Sequence, residues 1–265
     1  MESVIGYFAA GLIGISLGLI GGGGSILTVP VLVYLFHVEP TLATAYSLFI
    51  VGTTSLVGGV QNAMKQLVDF RTAIVFAIPG FLGVYFTRRY FVPLLPEDLF
   101  AIGSFVITRD IAIMVFFALV MLVAGISMIR NHEKDTTEDR PVRHNYPMIV
   151  VEGFIVGALT GIVGAGGGFL IIPALVLFAK LPMRKAVGTS LIIIAAKSLV
   201  GFLGDVGSGQ EINFQFIIIV SVIAIAGIFL GNHLSKFIES HRLKSGFGWF
   251  VLVMGIYVIF NEVVL

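Results

Sequence analysis

The stretch GLIGGGGSILTVPVLVYLF, residues 18–36, decides the fold. An apolar run, 4–20, meets four consecutive glycines, Gly21 to Gly24, and a second apolar run, 25–36, follows. Contiguous glycine inside a helix costs about 1 kcal/mol per residue, so a helix is expected to break there. The following run cannot span a bilayer: at ~1.5 Å per residue it reaches ~18 Å, against ~30 Å of hydrocarbon. The arrangement returns in GIVGAGGGFLIIPALVLF, residues 161–178, where Gly164-Ala165-Gly166-Gly167-Gly168 heads a short run, 168–179.

The rest of the chain has the composition of a membrane protein. Its 265 residues are 57% hydrophobic and 12% charged, with mean hydropathy +1.04. A soluble domain carries about 25% charged residues, so lipid is expected to be the solvent for much of this surface. Net charge +1 carries no signal for nucleic acid, and the lack of cysteine excludes disulfides, thiolate metal sites and cysteine nucleophiles. The first run follows Met1-Glu2-Ser3, an acidic start unlike the basic n-region of a signal peptide, and reads as a retained membrane segment.

Ten apolar runs are present: 4–20, 25–36, 43–62, 70–90, 110–129, 147–163, 168–179, 186–204, 212–234 and 246–262. A shift of 143 positions aligns residues of the first half with residues of the second. It carries Gly14, Gly18 and Gly21 onto Gly157, Gly161 and Gly164, Gly23 and Gly24 onto Gly166 and Gly167, and Pro30 onto Pro173. Ser47 falls on Ser190, and SLVG at 55–58 repeats at 198–201. Glycines align easily by chance; prolines, serines and a tetrapeptide do not. The expected organisation is a first repeat, 1–129, a polar linker, 130–146, and a second repeat, 147–265.

An odd number of segments per half predicts that the second half is upside down, and loop charge agrees with the positive-inside rule. Loop 37–42 lacks Lys and Arg, whereas its partner 180–185 holds Lys180, Arg184 and Lys185. Loop 62–70 holds Lys65, with Arg71 just after, whereas 205–211 holds none. This places the linker, with Arg130, Lys134, Arg140 and Arg143, in the cytoplasm and both termini outside. Residues 88–109, with Arg88, Arg89 and Arg109, depart from the rule; an interfacial helix or small hairpin is expected over 91–108. A parallel arrangement of eight spans ranks second, because it misplaces 180–185 and 236–244. The fold class expected is therefore an all-α integral membrane protein, an inverted repeat of two five-segment halves, each with a Gly-rich broken helical hairpin.

Irregular backbone at membrane depth is tolerated where it lines a cavity, as in the discontinuous helices of transporters. The short helices are expected to start at Ser25 and Gly168. The unpaired first N–H groups and the macrodipole offer roughly half a positive charge at each tip, a setting for an oxyanion. The alternative, glycine for close helix packing, suits Gly14/Gly18 and Gly157/Gly161 better. A dinucleotide fingerprint does not fit, since the third glycine and the βαβ context are missing.

Lys197 lies near the middle of 186–204, where a charge costs about 2.5–3.5 kcal/mol and by default marks a pathway; Asp205 or Glu152 would be its partner were it merely structural. Hydroxyls cluster on the same two runs at Ser47, Thr53, Thr54 and Ser55 and at Thr189, Ser190 and Ser198. Each alone fits a bond to its own helix, but Ser47 and Ser190 recur at matching positions. Gln61, Asn62 and Lys65 fit an inner gate or an ordinary interfacial end. Candidate substrate-binding residues are thus Gly23, Gly24, Ser25, Ser47, Thr54, Gly166, Gly167, Gly168, Ser190 and Lys197.

The pattern resembles the TauE/SafE sulfite exporter family. The carriers are residues 18–36 with ATAYSL at 43–48, and in the second half residues 161–178, LPMRKAVGTSL at 181–191 and SLVGFLGDV at 198–206. The first half departs by reading Tyr46-Ser47-Leu48 against Thr189-Ser190-Leu191. The resemblance covers nearly the whole chain. It implies a carrier of sulfite, thiosulfate, sulfonates or related organic anions in a prokaryotic inner membrane, without a prosthetic group. Its site residues carry over to Gly23, Gly24, Gly166, Gly167, Ser47 and Ser190.

The expected function is secondary transport of a small anion by alternating access, with no cofactor, no metal and no nucleic acid. H+ or another ion is the open choice of coupling partner, and the lipid bilayer is the surroundings. An anion channel shares the glycine tips but lacks saturation and counterflow; a structural subunit of a membrane complex is the remaining rival. An enzyme is disfavoured, because His37, His132, His144, His233 and His241 fall in loops or at segment ends and no carboxylate pair lies mid-run.

Overall fold

The protein is described from a computed structural model. It covers residues 2–91, 94–96, 98–102, 105–130, 146–163, 168–177, 179, 181–206, 212–235, 237–238 and 240–264. The helices are α1 (Glu2–Ile20), α2 (Ser25–Pro30), α3 (Pro40–Met64), α4 (Phe70–Phe86), α5 (Arg109–Arg130), α6 (Tyr146–Val163), α7 (Gly168–Leu177), α8 (Met183–Val206), α9 (Phe214–Leu234) and α10 (Ser240–Val264). Each apolar run of the sequence becomes one of them. The linker 131–145 and the glycines 164–167 lie outside the described residues.

The ends of these elements have local causes. Pro40 opens α3, where its missing N–H is no loss. The Asp69 carboxylate accepts the Thr72 N–H at 2.9 Å and starts α4, and Asn213 does the same for Phe216 at 3.0 Å and starts α9. Pro30 ends α2 and the chain widens into a π-helical turn, Val31–Leu35. Proline removes one bond of the helical ladder, and the wider turn accommodates the loss.

Of the two forms expected over 91–108, the small hairpin is the one that residues 98–102 and 105–108 take. After a π-helical end to α4, Thr87–Phe91, strands β1 (Asp98–Ile102) and β2 (Phe105–Thr108) pair antiparallel, with Ala101 opposite Val106. The aromatic and β-branched residues of DLFAI and FVIT favour strand over helix.

Among the described residues four helices are long and apolar enough to cross a membrane: Pro40–Met64, Phe70–Phe91, Met183–Val206 and Phe214–Leu234. Along α9 the inward residues Ile217, Val220 and Ala224 are buried, while Ile218, Val222 and Phe229 are exposed. A helix apolar on both faces needs an apolar solvent outside.

Close approaches fix the packing directions. Gly14 meets Ala224 and Gly18 meets Gly231, so α1 and α9 run parallel. Gly153 meets Phe76, Gly157 meets Gly80 and Gly161 meets Val84 and Thr87, so α4 and α6 do likewise. A Cβ at Gly14 or Gly157 would collide with the carbonyl oxygen of Ala224 or Gly80, the close packing expected of the four-residue glycine spacing. By contrast α3 and α8 run antiparallel: Gly52 packs on Leu199, Gly58 on Leu191, and Gly188 against Asn62. So do α5 and α10, where Gly125 meets Leu252 and Gly255 meets Ala118.

Candidate functional site

At the glycine cluster the backbone turns back on itself. Gly21 has φ 74° and ψ −121°, a conformation that glycine adopts without a Cβ clash. A 3-10 turn, Gly22–Gly24, leads into α2, which returns along α1 until Phe36 lies against Gly6. The pair α1–α2 is thus a hairpin whose tip is the glycine turn.

That tip touches the second half. A Cβ added at Gly22 would collide with the carbonyl oxygen of Gly168, the first residue of α7. A Cβ at Gly21 would lie 2.9 Å from Ser190 Oγ and 3.2 Å from Val187 Cα on α8. Gly168 in turn abuts Ile194, halfway along α8. Of the residues singled out from sequence, Gly168 and Ser190 meet the Gly21–Gly22 turn, Gly23 and Gly24 complete that turn ahead of Ser25, and Gly24 itself packs against Ser16 and Leu17 of α1. Gly166 and Gly167 lie outside the described residues.

The serines at this point are engaged with their own backbone. Ser25 donates to Gly22 O at 2.7 Å, Ser190 to Val187 O at 2.8 Å, and on α3 Ser47 to Thr44 O at 2.7 Å. Their oxygens remain acceptors, and rotation of Cα–Cβ would be needed to offer a donor. Among the described residues six buried hydroxyls have no hydrogen-bond partner: Thr28 on α2, Thr54 and Ser55 on α3, Thr72 on α4, Ser198 on α8 and Ser221 on α9. Thr28 carried no signal in the sequence beyond its place one turn past the glycines.

Lys197 is 1% exposed. It stands one turn beyond Ile194, and its Nζ donates to Thr160 Oγ1 on α6 at 2.9 Å. Thr160 passes its own hydrogen to Val156 O. Its hydrogen bond goes to a neutral hydroxyl, and the carboxylate oxygens of Glu152 have no hydrogen-bond partner. The lysine is therefore set in the groove between α4 and α6, one turn away from the tip contact.

A cavity of about 280 Å³ opens where α3 ends and α8 begins, and runs to Gly18 and Val187, the latter lying against the Gly21 turn. Lys65 and Arg184 are exposed at its walls, Asn62 and Asn232 are buried in them, and no carboxylate is among its described lining residues. Asn62 Nδ2 donates to Gly58 O at 2.9 Å, and Asn232 Nδ2 donates to Gln61 Oε1, bridging α9 and α3. Two cations and two amides, with no acid among the described lining residues, attract anions. The sequence offers Gln61, Asn62 and Lys65 as an inner gate or an ordinary interfacial end, gives no signal for Asn232, and brings in Arg184 only through the charge rule. Among the described residues no group of three His, Asp or Glu could hold a metal ion.

These features define a multi-pass helical membrane protein with a broken hairpin at its centre and a basic crevice leading to it. The chain belongs to the sulfite exporter TauE/SafE family, whose profile matches residues 7–258, and is a membrane transporter. It is 30% identical to a probable membrane transporter protein of Xylella fastidiosa strain Temecula1, over 96% of this chain and 94% of that one. It is 28% identical to the probable membrane transporter protein YunE of Bacillus subtilis, over 86% of each. It is also 27% identical to the probable membrane transporter protein MJ0441 of Methanocaldococcus jannaschii, over 97% and 94%. No solved structure matches the chain.

Proposed function

We propose that the chain moves a small anion, namely sulfite, thiosulfate, an organosulfonate or a related organic anion, across a prokaryotic inner membrane by alternating access. The observation that carries this reading is the basic crevice ending at the Gly21 turn. Lys65 and Arg184 draw the anion in, Asn62 and Asn232 line its way, and the glycine tips receive it beside Ser190, with the partnerless Thr54 hydroxyl as a further donor. By the charge rule the crevice faces the cytoplasm.

In this reading residues 1–129 and 147–265 are inverted repeats joined by a cytoplasmic linker, 130–146. The antiparallel packing of α3 on α8 and of α5 on α10 supports inversion, because each pair joins equivalent runs of the two halves. Rocking one half on the other would close the crevice and open its counterpart on the far side. For outward movement the membrane potential contributes about 2.3 kcal/mol per charge per 100 mV.

The test is uptake and counterflow in proteoliposomes with sulfite, thiosulfate, sulfoacetate, taurine and simple carboxylates. Saturable counterflow of at least one is expected. Failure to move any of them, or flux that neither saturates nor shows counterflow, sinks the proposal.

A further inference from the structure

Glu152, six residues into α6, has both carboxylate oxygens buried without a hydrogen-bond partner. We infer that Glu152 carries a proton that is exchanged whenever the anion moves, an inference that rests on the transport reading above. An ionised carboxylate with no donor in apolar surroundings is costly, whereas the neutral acid is tolerated. Two buried oxygens without a donor therefore fit the protonated form, and charging requires that a cation or water arrive.

The cation that can arrive is Lys197. Glu152, Val156 and Thr160 follow one another at four-residue spacing and so share one face of α6. Thr160 is where the Lys197 ammonium now docks, at 2.9 Å. Glu152 lies two turns back, about 12 Å along the axis. The stem of Lys197 passes Gly80, where a Cβ would be 3.8 Å from Lys197 Cδ. Gly80 itself packs between Gly153 and Gly157, at the level between Glu152 and Thr160. Swinging the flexible four-carbon stem from Thr160 toward Glu152 would pair the two charges and expel the proton. Swinging it back leaves the carboxylate unpaired, and it takes up a proton again. The O–H bond formed at Glu152 in one half of the cycle breaks in the other, the proton passes to water, and no electrons change hands.

Other titratable groups lie on the elements packed against this face. Helix α6 packs against α4, α5, α7 and the Thr87–Phe91 turn, and through Thr160 touches α8. Arg71 and Tyr85 on α4, Arg89 and Tyr90 in the turn, and Arg184 and Lys185 on α8 are exposed. Arg88 belongs to the same turn, Arg109, Asp110 and Arg130 to α5, and Asp205 to α8, while α7 has no titratable residue. None of the described side chains among these bonds Glu152.

Two measurements test the inference. The first is infrared difference spectroscopy of purified protein through a pH step, which reads the C=O stretch of a protonated carboxyl. A band is expected in the wild type and lost in Glu152→Gln; a band that persists in Glu152→Gln overturns the inference whatever the substrate. The second uses proteoliposomes holding pyranine, with labelled thiosulfate or sulfoacetate, anions that carry no proton of their own near neutrality. The wild type is expected to move about one proton per anion, and Glu152→Gln fewer than about one tenth of that. Wild-type anion counterflow without a proton signal, or an unchanged ratio in Glu152→Gln, overturns the coupling role and leaves the transporter reading standing. An infrared band assigned to Glu152 with no counterflow of any anion overturns the transporter reading, and the coupling role with it.

Discussion

The backbone N–H of Asp69 donates to Thr189 Oγ1 at 2.9 Å, tying the start of α4 to α8. A matching bond runs from Asn213 N–H to Tyr46 Oη, also 2.9 Å, tying the start of α9 to α3. Thr189 and Tyr46 are the positions at which the two halves read differently, Thr-Ser-Leu against Tyr-Ser-Leu. The difference is thus one of reach to the same kind of target, a backbone donor just before a helix of the other half, and it leaves the following serine in place.

Thr189→Val removes the acceptor and leaves the Asp69 N–H without its partner. A bond of this kind contributes about 1 kcal/mol, so the melting temperature in detergent should fall by about 2–4 °C, and Thr189→Ser should restore it. An unchanged melting curve for Thr189→Val would mean that the bond holds nothing together.

Two glycine substitutions should act with opposite sign. Gly22→Ala drives a methyl into the carbonyl of Gly168; overpacking of this sort destabilises by about 1–3 kcal/mol and should abolish uptake. Gly204→Ala on α8, where a Cβ meets nothing within 4 Å, should stabilise by up to about 1 kcal/mol through helix propensity. Thermal melting of both variants checks the pair, and equal shifts would contradict the close contact of the two halves.

Lys65→Ala with Arg184→Ala should raise the KM for a transported anion about tenfold with little change in maximal rate, because exposed cations at a mouth act by attraction. The same loss should shrink in high salt, where charges are screened over about 3 Å at 1 M. A double variant that retains the wild-type KM at low salt would remove the crevice from the pathway.

Lys197→Met keeps the length of the side chain and deletes a buried charge. Replacing a buried charge by an apolar group is often neutral or stabilising, so the melting temperature should hold or rise, while uptake should fall more than about tenfold. Lower stability with normal uptake would mark Lys197 as a structural residue.

Much of the architecture could be read without coordinates because its causes are local. Runs of apolar residues form helices wherever they occur, and Gly21 to Gly24 cannot continue one, so the helices and the break at residue 21 were legible along the chain. Over 91–108 a helix and a small hairpin both stayed open, since two short apolar stretches leave helix and strand nearly balanced until pairing decides. The serines show the limit at the site: the recurrence of Ser47 and Ser190 pointed to the right helices, but each hydroxyl's partner is a carbonyl of its own turn.

From the sequence alone came the membrane solvent, the helices, the broken turn, the repeat and the family resemblance, all of which depend on residues within a turn or two of one another or on simple periodicity. The partnership of Lys197 with Thr160, the meeting of Gly22 with Gly168, and the crevice drawn from Gly18, Asn62, Arg184 and Asn232 arose only in three dimensions. Such contacts join residues far apart along the chain, and they depend on which helix faces pack and in which direction, a choice made by the whole bundle at once through close-fitting glycines and side chains.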